Sequence, residues 1–109
     1  MLYLTAETTI LLAVQPVDFR KQIDGLIALC EQRLQQQPRS GHLFVFINRS
    51  RTMIRALCYE NNGYWLATKR LSQGRYSGWP KETESICSLK ACELTKILKT
   101  LIAHQPHSL

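Results

Sequence analysis

The sequence lacks any long apolar run, and no stretch approaches the 18 or more apolar residues that a membrane span needs. The segment 1–14 is apolar, but it has no basic residues and Glu7 interrupts it, so we expect no signal peptide. No linker, repeat or low-complexity tract divides the 109 residues. We therefore expect a single domain over residues 1–109, located in the cytoplasm and with no membrane partner.

Cysteine pairs of the C-x-x-C kind are also missing. Three of the four cysteines lie within apolar patterns, where cysteine acts as a small hydrophobic residue, and without an export signal we expect reduced thiols. A zinc site could be drawn from Cys87, Cys92, His104 and His107, but this spacing matches no familiar zinc module. We expect neither a metal nor a cofactor.

The motifs of common enzyme classes are absent as well. There is no G-x-S-x-G, no H-E-x-x-H and no glycine-rich loop that could cradle a phosphate. Metal-dependent phosphoryl transfer needs clustered carboxylates, and residues 39–81 contain one acidic residue, Glu60. These absences argue against an enzyme, and we assign no catalytic residue.

Positive charge is abundant and unevenly distributed. The net charge is +6, yet residues 1–38 and 82–109 are close to neutral. Residues 39–81 carry eight basic side chains against one acidic side chain. Such a concentration is typical of a surface that binds a phosphate backbone or an acidic partner. The charge pattern alone is at least as compatible with solvated faces that happen to be cationic.

Hydrophobic periodicity predicts an α+β fold with the order β-α-β-β-β-α. An apolar run at 9–14 predicts a strand, and apolar residues at helical spacing from Phe19 to Leu34 predict a helix capped by Asp18. Residues 43–47, 53–59 and 64–69 predict three strands of an antiparallel meander, joined by tight turns. Residues 88–103 predict a C-terminal helix. We expect both helices to pack on one face of the sheet.

The cations of the middle segment collect at the ends of these strands. Arg49 and Arg51 lie in the first hairpin turn, and Lys69, Arg70 and Arg75 follow the third strand of the meander. Because a meander folds back on itself, both places should lie at the same end of the sheet. Arg55 is in mid-strand, and its alternation with apolar neighbours predicts a position on the solvent side or at a sheet edge.

Two more cations, Arg20 and Lys21, fall in the predicted first turn of the first helix. Free N–H groups and two cations together could form an anion site there. The alternative, which the spacing favours, is that Arg20 pairs with Asp24 one turn later.

Four aromatic residues lie near the cations in the sequence: Tyr64, Trp65, Tyr76 and Trp79. Each could either stack on a nucleic-acid base or pack in the core. Trp65 lies within a predicted strand, so we expect it to be buried. Tyr76 and Trp79 lie beyond that strand, and the sequence leaves both interpretations open for them.

Three ordered blocks carry a family resemblance: PVDFRKQIDGL at 16–26, SGHLFVFINRSRTMIRAL at 40–57 and NGYWLATKRLSQGRY at 62–76. Together they resemble the small accessory protein, the product of the second reading frame called TnpB, of bacterial insertion sequences of the sixty-six group. The resemblance covers about residues 10–80, and the last thirty residues match weakly. It implies a protein needed for transposition of its element, while the chemistry belongs to a separate, larger transposase. No catalytic residues carry over.

The family's pattern aligns with residues in each block. They are Asp18, Arg20, Lys21, Asp24, Gly25 and Leu26, then Phe44, Phe46, Asn48 and Arg49, and then Gly63, Trp65, Lys69, Arg70, Leu71, Gly74 and Arg75. The chain departs from the pattern at Ile47, where a basic or polar residue is frequent, and at Arg55, where lysine is usual.

The sequence therefore predicts a non-catalytic accessory protein of insertion-sequence DNA transposition that binds DNA through phosphates. The residues predicted to contact nucleic acid are Arg20, Lys21, Arg49, Arg51, Arg55, Lys69, Arg70 and Arg75. The alternative is an adaptor that docks on the transposase of the same element without contacting DNA. An enzyme of unrecognised type is a distant third.

Overall fold

The structure is a computed structural model that describes residues 5, 7–81, 85–90, 93, 94 and 96. Its elements are β1 (Ile10–Ala13), α1 (Ile23–Gln32), a 3₁₀ turn (Pro38–Ser40), β2 (Leu43–Ile47), β3 (Met53–Glu60), β4 (Gly63–Arg70) and β5 (Ile86–Leu89). The fold is mixed α+β, as the sequence predicted. No helix among the described residues is long and apolar enough to cross a membrane.

The five strands form one sheet in the order β4-β3-β2-β1-β5. Strands β2, β3 and β4 pair antiparallel, so this part of the predicted meander is confirmed. The sheet as a whole is mixed, because β1 runs parallel to β2 and β5 runs antiparallel to β1. The parallel pair follows from the connection. Helix α1 lies between β1 and β2 in the chain and returns it to the end of the sheet at which β1 begins, so that β2 can run in the same direction as β1.

The prediction of a C-terminal helix over residues 88–103 is wrong for its first two residues. Ser88 and Leu89 belong to β5, where they pair with Leu11 and Ile10. Four residues carry too little periodic signal to separate a strand from a helix, and here pairing with the free edge of β1 decides the conformation. Residues 93, 94 and 96 are helical, and residues 97–103 of the predicted helix lie outside the described residues.

Helix α1 packs on one face of the sheet. Its side chains Leu26, Leu29 and Cys30 are buried in a cluster with Phe44, Phe46 and Leu57 from β2 and β3. Ile27 packs partly buried against the same cluster, so the predicted apolar face is confirmed.

The first helix begins later than predicted. Its N-cap is Gln22, not Asp18, and Phe19 therefore precedes the helix. The Asp18 carboxylate instead accepts from the Arg20 backbone N–H at 2.9 Å, which holds residues 18–20 as a turn.

The opposite face is covered by an irregular segment and by Leu94, so the prediction of two helices on one face is wrong. Tyr76 and Trp79, fully and almost fully buried, pack with apolar residues of β1 and β2. The indole N–H of Trp79 donates to the carbonyl of Ala13 at 3.1 Å. With cover on both faces, every residue of β2 is buried. The sequence left Tyr76 and Trp79 open, and both belong to the core.

The prediction that Trp65 is buried is wrong. Trp65 is 45% exposed, because β4 is an edge strand of the sheet and its side chains are less covered than those of the inner strands. The indole N–H donates to the carboxylate of Glu60 at 2.6 Å, which holds the ring against the β3–β4 hairpin.

The hydroxyl of Tyr76 is buried and has no hydrogen-bond partner among the described residues, and burial raises the pKa of this group. We expect Tyr76→Phe to raise the free energy of unfolding by about 1 kcal/mol, because it removes an unsatisfied polar group while keeping the ring. The raised pKa means that the unfolded state releases the proton more readily. Stability should therefore fall as the pH rises above about 10. Urea unfolding at neutral and alkaline pH should show a smaller alkaline loss for Tyr76→Phe, and an equal loss would contradict this assignment.

Candidate nucleic-acid interface

The turn between β2 and β3 is organised by Asn48. Its side-chain oxygen accepts from the backbone N–H groups of Thr52 at 2.9 Å and Met53 at 3.0 Å. Its amide nitrogen lies 3.1 Å from the hydroxyls of both Ser50 and Thr52. These bonds add to two backbone bonds of the turn, from the Asn48 N–H to the Met53 carbonyl and from the Arg51 N–H to the Asn48 carbonyl, and Arg49 is exposed at its tip.

The segment before α1 is fastened beside this turn. Val17 forms a parallel bridge with Asn48, and its N–H donates to the carbonyl of Ile47 at 2.8 Å. Arg20 and Lys21 are consequently brought to the end of the sheet that carries Arg49. Both precede α1, so the prediction that they occupy the first helical turn is wrong.

Arg20 pairs with Asp18, not with Asp24. Its Nε lies 3.1 and 3.0 Å from the two Asp18 carboxylate oxygens, and its NH2 lies 2.7 Å from Oδ2. These side-chain bonds hold the pKa of the Asp18 carboxyl far below its usual range, with a smaller contribution from the charge of Arg49. The carboxylate thus remains ionised and orients the exposed Arg20 side chain.

The residues after β4 return to the same turn. In the register of β3 and β4, Met53 lies opposite Arg70 and Ile54 lies opposite Lys69. Beyond the strand, Leu71 N–H donates to the Thr52 carbonyl at 2.9 Å. The prediction that the first turn and the end of the third strand share one end of the sheet is confirmed.

Arg75 is carried to this turn by its neighbour. The N–H of Tyr76 donates to the carbonyl of Arg51 at 2.8 Å, and the Tyr76 side chain is anchored in the core. Arg51 has a left-handed backbone, with φ of 61°, which turns the chain sharply into β3. Arg75 is therefore an exposed cation on a backbone that is tied to the turn and to the core.

We refer to this group of cations as the basic end. It consists of Arg20, Lys21, Arg49, Arg51, Lys69, Arg70 and Arg75. All of them are exposed except Arg51, which is half-buried. Lys69 and Arg70 point to opposite faces, because neighbouring residues alternate along a strand. The cations therefore surround the end of the sheet and do not form a plane on one face.

Arg55 has a different environment from the rest of the predicted set. Its NH1 donates at 2.9 Å to the carbonyls of both Phe19 and Lys21, and its guanidinium lies 4.7 Å from the centre of the Phe19 ring. Strand β3 is not an edge strand, and Arg55 is half-buried beneath residues 19–21. The prediction of a solvent-side or edge position is therefore wrong. Only the tertiary structure brings Phe19 and Lys21 to this side chain.

The thiols of Cys30 in α1 and Cys58 in β3 are poorly suited to act as nucleophiles, which need the thiolate form. Burial raises the pKa of the Cys30 thiol to about 12, and it also raises the pKa of Cys58. Among the described residues, no group of three or more His, Cys, Asp or Glu side chains could hold a metal ion. Cys92, His104 and His107 lie outside the described residues.

Comparison with known proteins gives a family match over almost the whole chain. The model of the family described as IS66 Orf2 like protein matches residues 8–108, including the last thirty residues, where the resemblance by motif was weak. No solved structure matches this chain.

Two similar proteins come from Sinorhizobium fredii (strain NBRC 101917 / NGR234). The uncharacterized protein y4jC is 37% identical over 67 residues, which cover 62% of this chain and 57% of y4jC. The uncharacterized protein y4hO is 27% identical over 95 residues, which cover 87% of this chain and 82% of y4hO. The chain thus spans little more than half the length of y4jC.

The family match agrees with the three sequence blocks and with the structure that they build. The blocks at 16–26, 40–57 and 62–76 supply the segment before α1, the β2–β3 turn and the end of β4, which meet at the basic end. On the match over residues 8–108, this chain belongs to the IS66 Orf2 like protein family.

Proposed function

We propose that this protein is a non-catalytic accessory protein of insertion-sequence DNA transposition that binds duplex DNA through its phosphates, using the basic end. The observation that carries the proposal is the convergence of cations from three separate segments on one end of the sheet. Solvated charges scattered along a chain have no reason to converge, whereas a polyanion rewards several cations within reach of one backbone.

The way the cations are held suits phosphate contacts. Backbone hydrogen bonds fasten all three segments to the Asn48 turn, so the charged groups are carried on fixed backbone while their long side chains remain adjustable. Exposed arginine and lysine groups on such a frame can follow a phosphate backbone, and contacts of this kind position a protein without reading base sequence. We therefore expect little difference in affinity between unrelated duplexes.

Base stacking contributes little to this proposal. Tyr76 and Trp79 are buried, so neither can stack on a base without unfolding. Trp65 is exposed, but it lies beside the β3–β4 hairpin, at the opposite end of β4 from Lys69 and Arg70.

The proposal is tested by titrating duplex DNA binding against salt. Each phosphate that the protein neutralises releases condensed counterion, so log affinity should fall against log salt with a slope of about −0.9 per contact. Replacing Arg70 and Arg75 with alanine should make this slope shallower by about one unit each. Both side chains are exposed, so circular dichroism and melting should show an unchanged fold.

Arg33→Ala is the matched control. It removes one exposed positive charge, but from the C-cap of α1, away from the Asn48 turn, and we expect an unchanged slope. Equal effects of Arg33→Ala and Arg70→Ala would mean that only net charge matters. A folded double variant with wild-type affinity and slope, or no binding by the wild type at low salt, would contradict the proposal.

Those contrary results would favour the adaptor function, in which the same cations dock on an acidic surface of the transposase. Purified transposase should then be retained by the immobilised protein, and nuclease treatment should not release it. Loss of retention on nuclease treatment would identify DNA as the bridge between the two proteins.

A further inference from the structure

Strand β4 has an outer edge along which backbone N–H and C=O groups point away from the sheet at regular spacing. The Thr52–Leu71 hydrogen bond fixes the alternation of the β3–β4 ladder, so Gly63, Trp65, Ala67 and Lys69 bond inward to β3. The N–H and C=O groups of the intervening residues point outward; these residues are Tyr64, Leu66, Thr68 and Arg70. Within the part of the chain that the structure describes, no residue bonds to these outward groups.

This edge is long and open. Strand β4 has eight residues, twice the length of β5 at the other edge of the sheet. Residues 67–70 are exposed on both faces, so no side chain of the described residues covers the outer edge there. A long exposed edge is a template for another strand unless the strand is bent, interrupted, covered or charged, and in β4 the charges are confined to Lys69 and Arg70 at one end.

We propose that a second copy of this chain occupies the edge, with the two β4 strands antiparallel and a two-fold axis at Ala67. This register pairs all four outward residues of each copy. Tyr64 lies opposite Arg70 of the second copy, and Leu66 lies opposite Thr68. Moving the axis to Leu66 or Thr68 leaves an outward residue at one end of the strand opposite a residue beyond β4 of the other copy.

The side chains on both faces are complementary in this register. On one face, Trp65 lies opposite Lys69 of the second copy; on the other, Tyr64 lies opposite Arg70. Directly opposed side chains are about 4.5–5.5 Å apart at Cβ, which places each cation beside an aromatic ring. No cation lies opposite another cation. Ala67 meets its own counterpart at the axis, where a small side chain allows close approach.

This arrangement also accounts for Trp65. A large aromatic residue that is 45% exposed on one copy gains a cation from the other copy, and its ring is already held in place by Glu60. Each copy carries a charge of +6, which opposes association. Salt of about 0.1 M screens that repulsion over roughly 10 Å, so the dimer is measured at that ionic strength.

The test uses the full chain without DNA, so its outcome is independent of the DNA-binding proposal. We expect the mass from sedimentation equilibrium to approach twice that of one chain as the concentration rises. Ala67→Cys should form a disulfide between copies under mild oxidation by oxidised glutathione, because a non-hydrogen-bonded antiparallel pair has Cα atoms about 4.5 Å apart. Position 69 is equally exposed, but in this register it lies four residues, or about 13 Å, from position 69 of the second copy. Lys69→Cys should therefore cross-link no more than wild type.

Thr68→Pro tests the backbone edge itself. It removes an N–H group that points outward, while the ladder to β3 needs no donor at this position. We expect the dimer dissociation constant to rise at least about tenfold, and Thr68→Ala to leave it nearly unchanged. A wild-type monomer at the highest soluble concentration would overturn the proposal. So would equal cross-linking of Ala67→Cys and Lys69→Cys, or a dimer that a folded Thr68→Pro variant does not weaken.

Discussion

Replacing Trp79 with alanine is expected to lower the free energy of unfolding by about 3–5 kcal/mol. Trp79 is 4% exposed and packs on the sheet face opposite α1, so its removal leaves a large cavity. It also leaves the Ala13 carbonyl without the indole donor that lies 3.1 Å away. Small domains have only about 5–15 kcal/mol of stability in total, so this variant should be close to unfolding. Urea denaturation followed by circular dichroism measures the loss.

Trp65→Ala is the matched control, since it makes the same change in an exposed residue of the same chain. We expect a loss of about 1 kcal/mol or less, because the indole is 45% exposed and its hydrogen bond to Glu60 lies at the surface. If Trp79→Ala fails to fold, Trp79→Phe keeps most of the packing and should cost about 1–2 kcal/mol through the lost hydrogen bond. Equal losses for Trp65→Ala and Trp79→Ala would contradict the two environments assigned here.

Replacing Arg55 with methionine is expected to cost about 2–4 kcal/mol of stability. The variant loses two charge-assisted hydrogen bonds, to the carbonyls of Phe19 and Lys21, and the stacking on the Phe19 ring. Each such bond contributes about 1.5–3 kcal/mol, and stacking adds about 0.5–1 kcal/mol. Part of the loss is offset, because the buried Nε of Arg55 has no partner in the described part of the chain and methionine removes it. Urea unfolding of both proteins gives the difference.

The same variant separates a structural role of Arg55 from a contact with DNA. A folded Arg55→Met protein should keep the salt slope of DNA binding, because NH1 is engaged by backbone carbonyls within the chain. Arg55→Lys retains a donor for the carbonyls but not the planar group that stacks on Phe19. Its free energy of unfolding should therefore lie between those of the wild type and Arg55→Met. A slope that becomes shallower by about one unit would instead place Arg55 among the phosphate contacts.

Much of the fold could be predicted from the sequence because its signals are local. Alternation and turn residues predicted β3 and β4, and helical spacing predicted the buried face of α1 around Leu26. Antiparallel pairing then followed from the short turns, and with it the meeting of the Arg49 turn and the residues after Arg70. The excess of positive charge in 39–81 was visible directly in the sequence, as were the three blocks that carry the family resemblance.

What the sequence did not contain is the burial of each face, because burial depends on contacts between distant residues. Trp65 has the stronger strand pattern of the two tryptophans, yet it is exposed, because β4 lies at the edge of the sheet that the described strands form. Trp79 lies in a segment with no regular pattern, yet it is buried, because that segment crosses the face opposite α1. Strand β5 was missed for the same reason, since its partner β1 lies more than seventy residues earlier.

For the candidate site too, one part could be predicted from the sequence and the other part depends on the tertiary structure. Sequence by itself determined which residues are charged and that two groups of them flank one end of the meander. Only the tertiary structure decided that the Val17–Asn48 bridge adds Arg20 and Lys21 to that end, and that Arg55 is half-buried beneath them. The physical reason is that a side chain's partners are set by which backbone segments pack together. The residues that meet here lie about 20 to 36 positions apart in the chain.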